Sequence, residues 1–172
     1  MLVKNLEEFK KCKFEKLLAI DIETTSLNPR EAKLTGIGWG DDKEQYYIDW
    51  GICDFQEEVI KKLKEIFKTH RIIFHNAKFD IKILKQVLNI DFPDKIDDTM
   101  IMSWLLDENR GHGLKELTST ILKRKAVKYE DVPKNITLFD DADSIRQLMA
   151  EYCCADVKNT FDLYLKFYPK GR

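Results

Sequence analysis

The segment LLAIDIETT, Leu17 to Thr25, narrows the folds open to this 172-residue chain more than any other. It begins as an almost unbroken apolar run, the pattern of a strand covered on both faces. It then sets Asp21 and Glu23 two residues apart. Strand side chains alternate, so both carboxylates leave one face while Ile20 and Ile22 leave the other. Two anions at the end of a buried strand repel each other and lose solvation, and a divalent cation between them relieves both penalties. A strand that simply runs out into solvent gives the same Asp-x-Glu pattern. The rest of the chain has to separate the two.

The length suits one domain, residues 1–172, with a core that needs no disulfide or structural metal. Lys plus Arg number 29 and Asp plus Glu 30, for a net charge of -1. That balance excludes nucleic-acid binding by bulk positive charge and leaves room only for a local basic track. Cys12, Cys53, Cys153 and Cys154 form no Cys-x-x-Cys pair. Cys153 and Cys154 fall in a helical stretch, where neighbours diverge by about 100°. All four read as reduced packing thiols of a reducing compartment. The three histidines have no zinc spacing. With no signal-peptide pattern and no apolar run of about 18 residues, the expectation is a cytoplasmic, unsecreted, monomeric protein without membrane contact.

In chain order, residues 1–13 read as a short amphipathic helix or arm, with Leu2, Leu6 and Phe9 at helical spacing. The Leu17 strand comes next and ends in the turn chemistry of SLNPR. KLTGIGWG and EQYYIDW read as two more strands joined at Gly40-Asp41-Asp42, so that three strands open the sheet as an antiparallel meander. Asp54 or Cys53 is placed to cap a helix from Phe55 to Thr69. RIIFH fits a fourth strand. Asn76 follows as an N-cap for the helix AKFDIKILKQVL, whose apolar rows are Phe79-Ile83-Val87 and Leu84-Leu88. KID fits a last short strand, Asp98 caps TMIMSWLLD, and GLKELTSTIL starts another helix. KRKAVKYEDVPKNITL, with Pro133 and no periodicity, reads as a basic mobile loop over 124–138. A long final helix runs from about Asp141 to Phe167, striped by Ile145, Leu148, Met149, Tyr152, Thr160 or Phe161, Leu163, Tyr164 and Phe167.

Strands first and strand–helix alternation afterwards predict an α/β fold, a central mixed sheet of five strands flanked by helices. Asp80, at the head of the Leu84 row, and Asp156, on the stripe of the last helix, are acids aimed at an interior. Ligands gather at strand ends in such sheets. Asp21, Glu23, Asp80 and Asp156 are therefore expected to meet in one site.

Asp21-x-Glu23, HNAKFD with Asp80, and Tyr152-x-x-x-Asp156, in that order, resemble the DEDD superfamily of 3′→5′ exonucleases in its tyrosine-bearing branch. DIETTSL, HNAKFD, DTMIMSWLLD, GHGLKELTSTIL and EYCCADVKNTFDLY are similar to the proofreading exonuclease domain of family A DNA polymerases, from about Leu17 to Tyr168. The resemblance implies a ribonuclease H-like fold and hydrolysis of terminal phosphodiesters to nucleoside 5′-monophosphates. It implies two divalent ions, Mg²⁺ or Mn²⁺, which favour hard oxygen ligands. By the same resemblance Asp21 bridges both ions, Glu23 and Asp156 help hold the one that activates water, and Asp80 supports the second through water. Tyr152, four residues before Asp156 on one helix, would orient that water. A phenol with a pKa near 10 is a poor base at neutral pH.

Substrate contacts follow from the resemblance too. Leu27 matches a leucine that packs on the terminal base, and Tyr129 an aromatic that stacks on it, a contact that tolerates any base. Thr24, Asn76 and Phe79 match positions along the strand's path, though Phe79 lacks the hydroxyl of the tyrosine common there. His75 stands where glutamine is frequent. Asp98 matches a recurrent acid that helix capping explains equally well. Lys123, Arg124, Lys125 and Lys128 are placed either to meet phosphates or to form a solvated loop. The expected substrate is single-stranded DNA 3′ ends, with proofreading beside a polymerase domain or subunit. The rivals are RNA 3′-end trimming of the ribonuclease D type, and a vestigial scaffold domain that binds DNA without cutting it.

Overall fold

Five strands pair in the order β3-β2-β1-β4-β5 in the computed structural model, which describes residues 1–126 and 141–168. The strands are β1 (Leu17–Thr24), β2 (Leu34–Gly40), β3 (Gln45–Asp49), β4 (Arg71–Phe74) and β5 (Lys95–Asp98). β1, β2 and β3 form the expected antiparallel meander, and β4 and β5 add in parallel on the other side of β1. The sheet is mixed because β1 carries both kinds of partner. Helices α1 (Leu6–Lys10), α2 (Gln56–Thr69), α3 (Ala77–Leu88), α4 (Thr99–Leu106), α5 (Leu114–Thr120) and α6 (Ala142–Phe167) cover it.

The alternation of β1 sorts the core into two sides. Leu18, Ile20 and Ile22 join the larger cluster, with Phe9, Trp39, Val59, Leu63, Ile83 and Leu84 from α1, β2, α2 and α3. Ala19 faces the opposite way, onto Val157, Phe161 and Tyr164 of α6. Asp21 and Glu23 share the parity of Ala19, so they project on the α6 side. Gly38 pairs with Asp21 across the β1–β2 ladder. A Cβ there would lie 2.5 Å from Cys153 Sγ and 3.0 Å from Val157 Cγ2, closer than side chains pack. The glycine allows α6 to lie against the strand that carries the acids.

Several local expectations are corrected. Leu2 is not helical. Met1 to Val3 run extended beside β3, with Val3 N–H donating to Tyr47 O at 2.8 Å and Tyr47 N–H to Met1 O at 2.9 Å. The arm thereby covers a sheet edge, and the helix proper begins only after Asn5, whose side chain accepts from Glu8 N–H. Neither Asp54 nor Cys53 caps α2; the capping position is Phe55, which makes no side-chain cap bond and is 2% exposed. Burial of that ring, rather than a polar cap, fixes the entry to the helix. Asn76 does not cap α3 with its side chain either. Its backbone is left-handed (φ 70°), and the cap comes from Asp98. Side-chain capping needs an extended residue at that position, and a left-handed one turns its side chain away. In α6 the expected Thr160, Phe161, Leu163, Tyr164 and Phe167 are buried, but in its first half burial falls on Ala150 and Cys153, and the expected Ile145-Leu148-Met149 row is only partly buried.

Candidate active site

β1 outruns its parallel partner. The β1–β4 ladder covers only Leu17 to Ala19, whereas the β1–β2 ladder continues to Thr24, with a register shift between Glu23 and Thr24. The first turn of α3 fills the space beyond β4, and there the Asp80 carboxylate accepts a hydrogen bond from the Ile22 backbone N–H. α6 approaches from the other side with Asp156. Thus four acids from three elements gather at one strand end, as the spacing predicts. Asp80 and Asp156 are 5% and 7% exposed, while Asp21 and Glu23 keep a partial opening to solvent.

The electrostatics of this gathering run against ionisation. Burial lifts the Asp21 carboxyl well above the usual carboxylate range, and the charges of Glu23, Asp156 and Asp80 lift it further. Burial and then Asp156 push Glu23 up to about 7. Asp80 is raised well above the ordinary range by burial, with Glu23 and Asp98 adding to it. Asp156 is raised by burial and partly relieved by Lys115. The Asp21 and Glu23 carboxyls lie close enough to influence each other's ionisation directly.

Tyr152 meets Asp156 one turn along α6, its hydroxyl donating to the carboxylate. Burial and the neighbouring acids drive the phenol pKa far up, so the group stays protonated. Lys115, from α5, ion-pairs with Asp156 Oδ1, and its ammonium lies 4.4 Å from the centre of the Tyr152 ring. The lysine thus ties acid and tyrosine together through one charge–carboxylate and one cation–π contact. Sequence reasoning missed it, because a lysine near the start of an amphipathic helix reads as solvated surface. It also missed Cys153, whose Sγ lies 3.5 Å from Asp21 Oδ2. Its signal was present: Cys153 stands three residues before Asp156, on the same face of α6.

The expected substrate residues are less uniform. Leu27 is 87% exposed just beyond β1, an apolar side chain with nothing covering it. The Thr24 hydroxyl donates to Ser26 O at 2.8 Å and shapes that turn. Asn76 is exposed at the start of α3, and Phe79 is partly buried against the larger core cluster. The His75 ring is consumed by structure, its Nδ1 2.7 Å from the Thr99 hydroxyl and its Nε2–H donating to His112 O at 2.7 Å. Arg124 is tied to α6, donating to Asn159 Oδ1 and pairing with Asp162 at 2.7 Å. It is thus held against α6, where the sequence left open a phosphate contact or a solvated loop. Lys123 and Lys125 are exposed. Tyr129, Lys128 and most of the 124–138 loop lie outside the described residues.

The acid set fits divalent cations. Every oxygen donor is hard, four carboxylates face one lysine, and Asp80 Oδ2 is buried with no hydrogen-bond partner among the described residues. Over residues 2–172 the sequence matches the family described as 3′→5′ exonuclease. The chain belongs to that family. The chain is 34% identical over 171 residues to DNA polymerase I of Borreliella burgdorferi and 30% identical over 179 residues to the DNA polymerase of Escherichia phage T5. These matches take in 96% and 89% of the chain but 18% and 20% of the polymerases, so the chain spans about a fifth of their length. Its fold is similar to that of Escherichia coli RNase D (TM-score 0.73, 15% identity, 99% of this chain and 44% of that one). It is also similar to Brucella melitensis NrnC with bound Mg²⁺ (TM-score 0.66, 24% identity, 98% and 77%). The fold is ribonuclease H-like, as expected, and the exonuclease is of the DEDD type, a family that depends on divalent metal. Among the described residues no helix is long and apolar enough to cross a membrane.

Proposed function

We propose that residues 1–172 act as one exonuclease domain that removes nucleotides from the 3′ ends of single-stranded DNA, in a proofreading role beside a polymerase domain or subunit. The observation that carries this reading is the meeting of Asp21, Glu23, Asp80 and Asp156 with Tyr152 at the end of β1. The similarity to DNA polymerases favours DNA. The fold likeness to a Trypanosoma brucei RNase D in complex with RNA U12 (TM-score 0.74, 15% identity) keeps RNA as the second reading. All four acids and the tyrosine are retained, which argues against a scaffold that does not cut.

Asp21, Glu23 and Asp156 would hold one Mg²⁺ or Mn²⁺, and Asp21 and Asp80 a second. Such a pair, when bound, stabilises both the attacking and the leaving oxygen of an in-line displacement at phosphorus. The protein supplies the orientation. Tyr152 donates a hydrogen bond to Asp156, stays protonated, and keeps a phenolic lone pair with which to accept from a water, so it aligns that water and does not deprotonate it. Lys115 holds Asp156 and the tyrosine ring in register. Leu27, exposed beyond the acids, is placed to pack on the terminal base.

The test is a 5′-labelled DNA strand and an RNA strand of the same sequence, each incubated with the full chain and Mg²⁺ or Mn²⁺. Stepwise shortening of DNA faster than RNA, abolished by EDTA and reduced by orders of magnitude in Asp21→Ala, is the expected result. Shortening of RNA in preference to DNA transfers the assignment to the second reading. Strands left at full length with metal present overturn both.

A further inference from the structure

Hard-ion phosphodiester hydrolysis has no use for a thiol, yet Cys153 places one inside the acid cluster. Its Sγ is 3.5 Å from Asp21 Oδ2 and 3.9 Å from Asp21 O, and the residue is fully buried. A carboxylate oxygen from Asp21, one from Glu23 and the sulfur all lie within 4.8 Å of one another. The sulfur is confined on its far side, since Gly38 leaves only enough room for α6 to pass. The same acid set includes Asp80 Oδ2, buried and without a hydrogen-bond partner among the described residues, whose carboxyl is within electrostatic reach of Asp21 and Glu23.

We propose that Asp21, Glu23 and Cys153 form a mixed carboxylate–thiolate site that binds a borderline-soft divalent cation, Zn²⁺ or Cd²⁺, and thereby holds the exonuclease inactive. Tetrahedral zinc, with bonds of about 2.3 Å to sulfur and 2.0–2.2 Å to oxygen, sets its ligand atoms about 3.3–3.6 Å apart. The Sγ to Asp21 Oδ2 distance already matches, and a side-chain rotation at Glu23 closes the remainder. Mg²⁺ does not take sulfur and demands an octahedron of oxygens, so it uses the carboxylates alone. The thiol therefore discriminates between ions that share the same two acids. On binding, one metal–sulfur and two metal–oxygen bonds form, the thiol proton and any proton held by the two carboxyls pass to solvent, and no electron changes hands. The ion then occupies Asp21 and Glu23 in a geometry drawn towards sulfur. The inhibitory half of this proposal rests on the exonuclease reading; the coordination does not.

The metal-free full chain is titrated with Cd²⁺ while near-ultraviolet absorbance is followed for sulfur-to-metal charge transfer. The expected result is a band that saturates at one equivalent in the native chain and in a variant keeping Cys153 as its sole cysteine. The band persists in Cys154→Ala. It is lost in both Cys153→Ala and Cys153→Ser, with circular dichroism verifying that each is folded. In a separate arm, Zn²⁺ inhibits Mg²⁺-supported cleavage. The inhibition constant, taken relative to each protein's own Mg²⁺-supported rate, weakens by about tenfold or more in Cys153→Ser. A native chain without the band, or a band undiminished in folded Cys153→Ser, overturns the site. Failure of cleavage with the band intact overturns the exonuclease reading and leaves the coordination standing. Cleavage indifferent to Zn²⁺ while the band forms overturns the inhibition.

Discussion

Asp98 caps a helix it does not belong to: its Oδ2 accepts from the Ala77 backbone N–H, at the start of α3, at 2.8 Å. Its Oδ1 accepts from Asn76 N–H at 3.0 Å and from Met100 N–H, in its own helix α4, at 2.9 Å. One carboxylate therefore closes two helix starts and fixes α3, which carries Asp80, against the end of β5. Asp98→Ala leaves three backbone donors without their acceptor and is expected to cost about 1–3 kcal/mol. Asp98→Asn, which keeps one acceptor oxygen, is expected to cost less. Urea denaturation of the metal-free protein measures both, and equal midpoints for native and Asp98→Ala proteins would show that the double cap contributes nothing.

The raised carboxyl pKa values set a direction for stability against pH. A group whose folded pKa lies above its unfolded value contributes stability in full below the unfolded value and loses it as pH rises through the folded one. For Glu23 that window runs from 4.5 to about 7. Asp21, Asp80 and Asp156 are shifted the same way from 3.8. In EDTA, melting temperature should therefore fall as pH rises across this range. Glu23→Gln, which cannot ionise, should flatten the fall and stabilise the protein near pH 8 by on the order of 1–2 kcal/mol. Mg²⁺ or Mn²⁺ should raise the melting temperature more near pH 8 than near pH 5. A metal-free melting temperature that climbs with pH would contradict the gathering of acids.

Why the acids were legible in the sequence and their supports were not has a physical reason. Asp21, Glu23, Asp80 and Asp156 each break an apolar pattern whose period is set by one element, so a single window reveals each of them. The strands and long helices declare themselves in the same way. Lys115 and Asp98 act between elements: the lysine crosses from α5 to α6 and the aspartate from β5 to α3. Nothing in its own neighbourhood marks Lys115, and that of Asp98 marks only the cap of α4, which the structure bears out, and not its bonds to Asn76 and Ala77. Cys153 reads as an ordinary apolar residue of α6 until β1 is laid against it. Asn76 misled because its residue type suits a cap while its left-handed backbone does not.

Gly38 is where the sheet admits α6. Gly38→Ala brings a methyl to 2.5 Å from Cys153 Sγ and 3.0 Å from Val157 Cγ2, both on a buried helix face. The helix has to move or the strand has to bend, at an expected cost of about 1–3 kcal/mol. Because the same helix carries Tyr152 and Asp156, activity should fall more than stability does. Comparing kcat with the denaturation midpoint separates the two effects, and a fully active Gly38→Ala protein would show that the approach of α6 is not tightly set.

Lys115 makes the last prediction. Its ammonium is the one described cation that ion-pairs with any of the four acids, holding Asp156 by charge and Tyr152 by its ring. Lys115→Met keeps the length and apolar volume of the stem and removes the charge. Asp156 then loses the contact that partly offsets its burial, and its carboxyl rises further. Two effects oppose each other at the metal. Removing a positive charge favours a cation, whereas releasing Asp156 and Tyr152 disorders the ligand and the water-orienting hydroxyl. Partners that orient metal ligands are worth about 10–100-fold when removed. The expected outcome is a split: Mn²⁺ affinity by calorimetry changes little or tightens, while kcat falls by about tenfold or more. Lys115→Arg, which keeps the charge with a different head group, should recover part of the rate. A Lys115→Met protein with native kcat would leave the lysine a surface ion pair and nothing more.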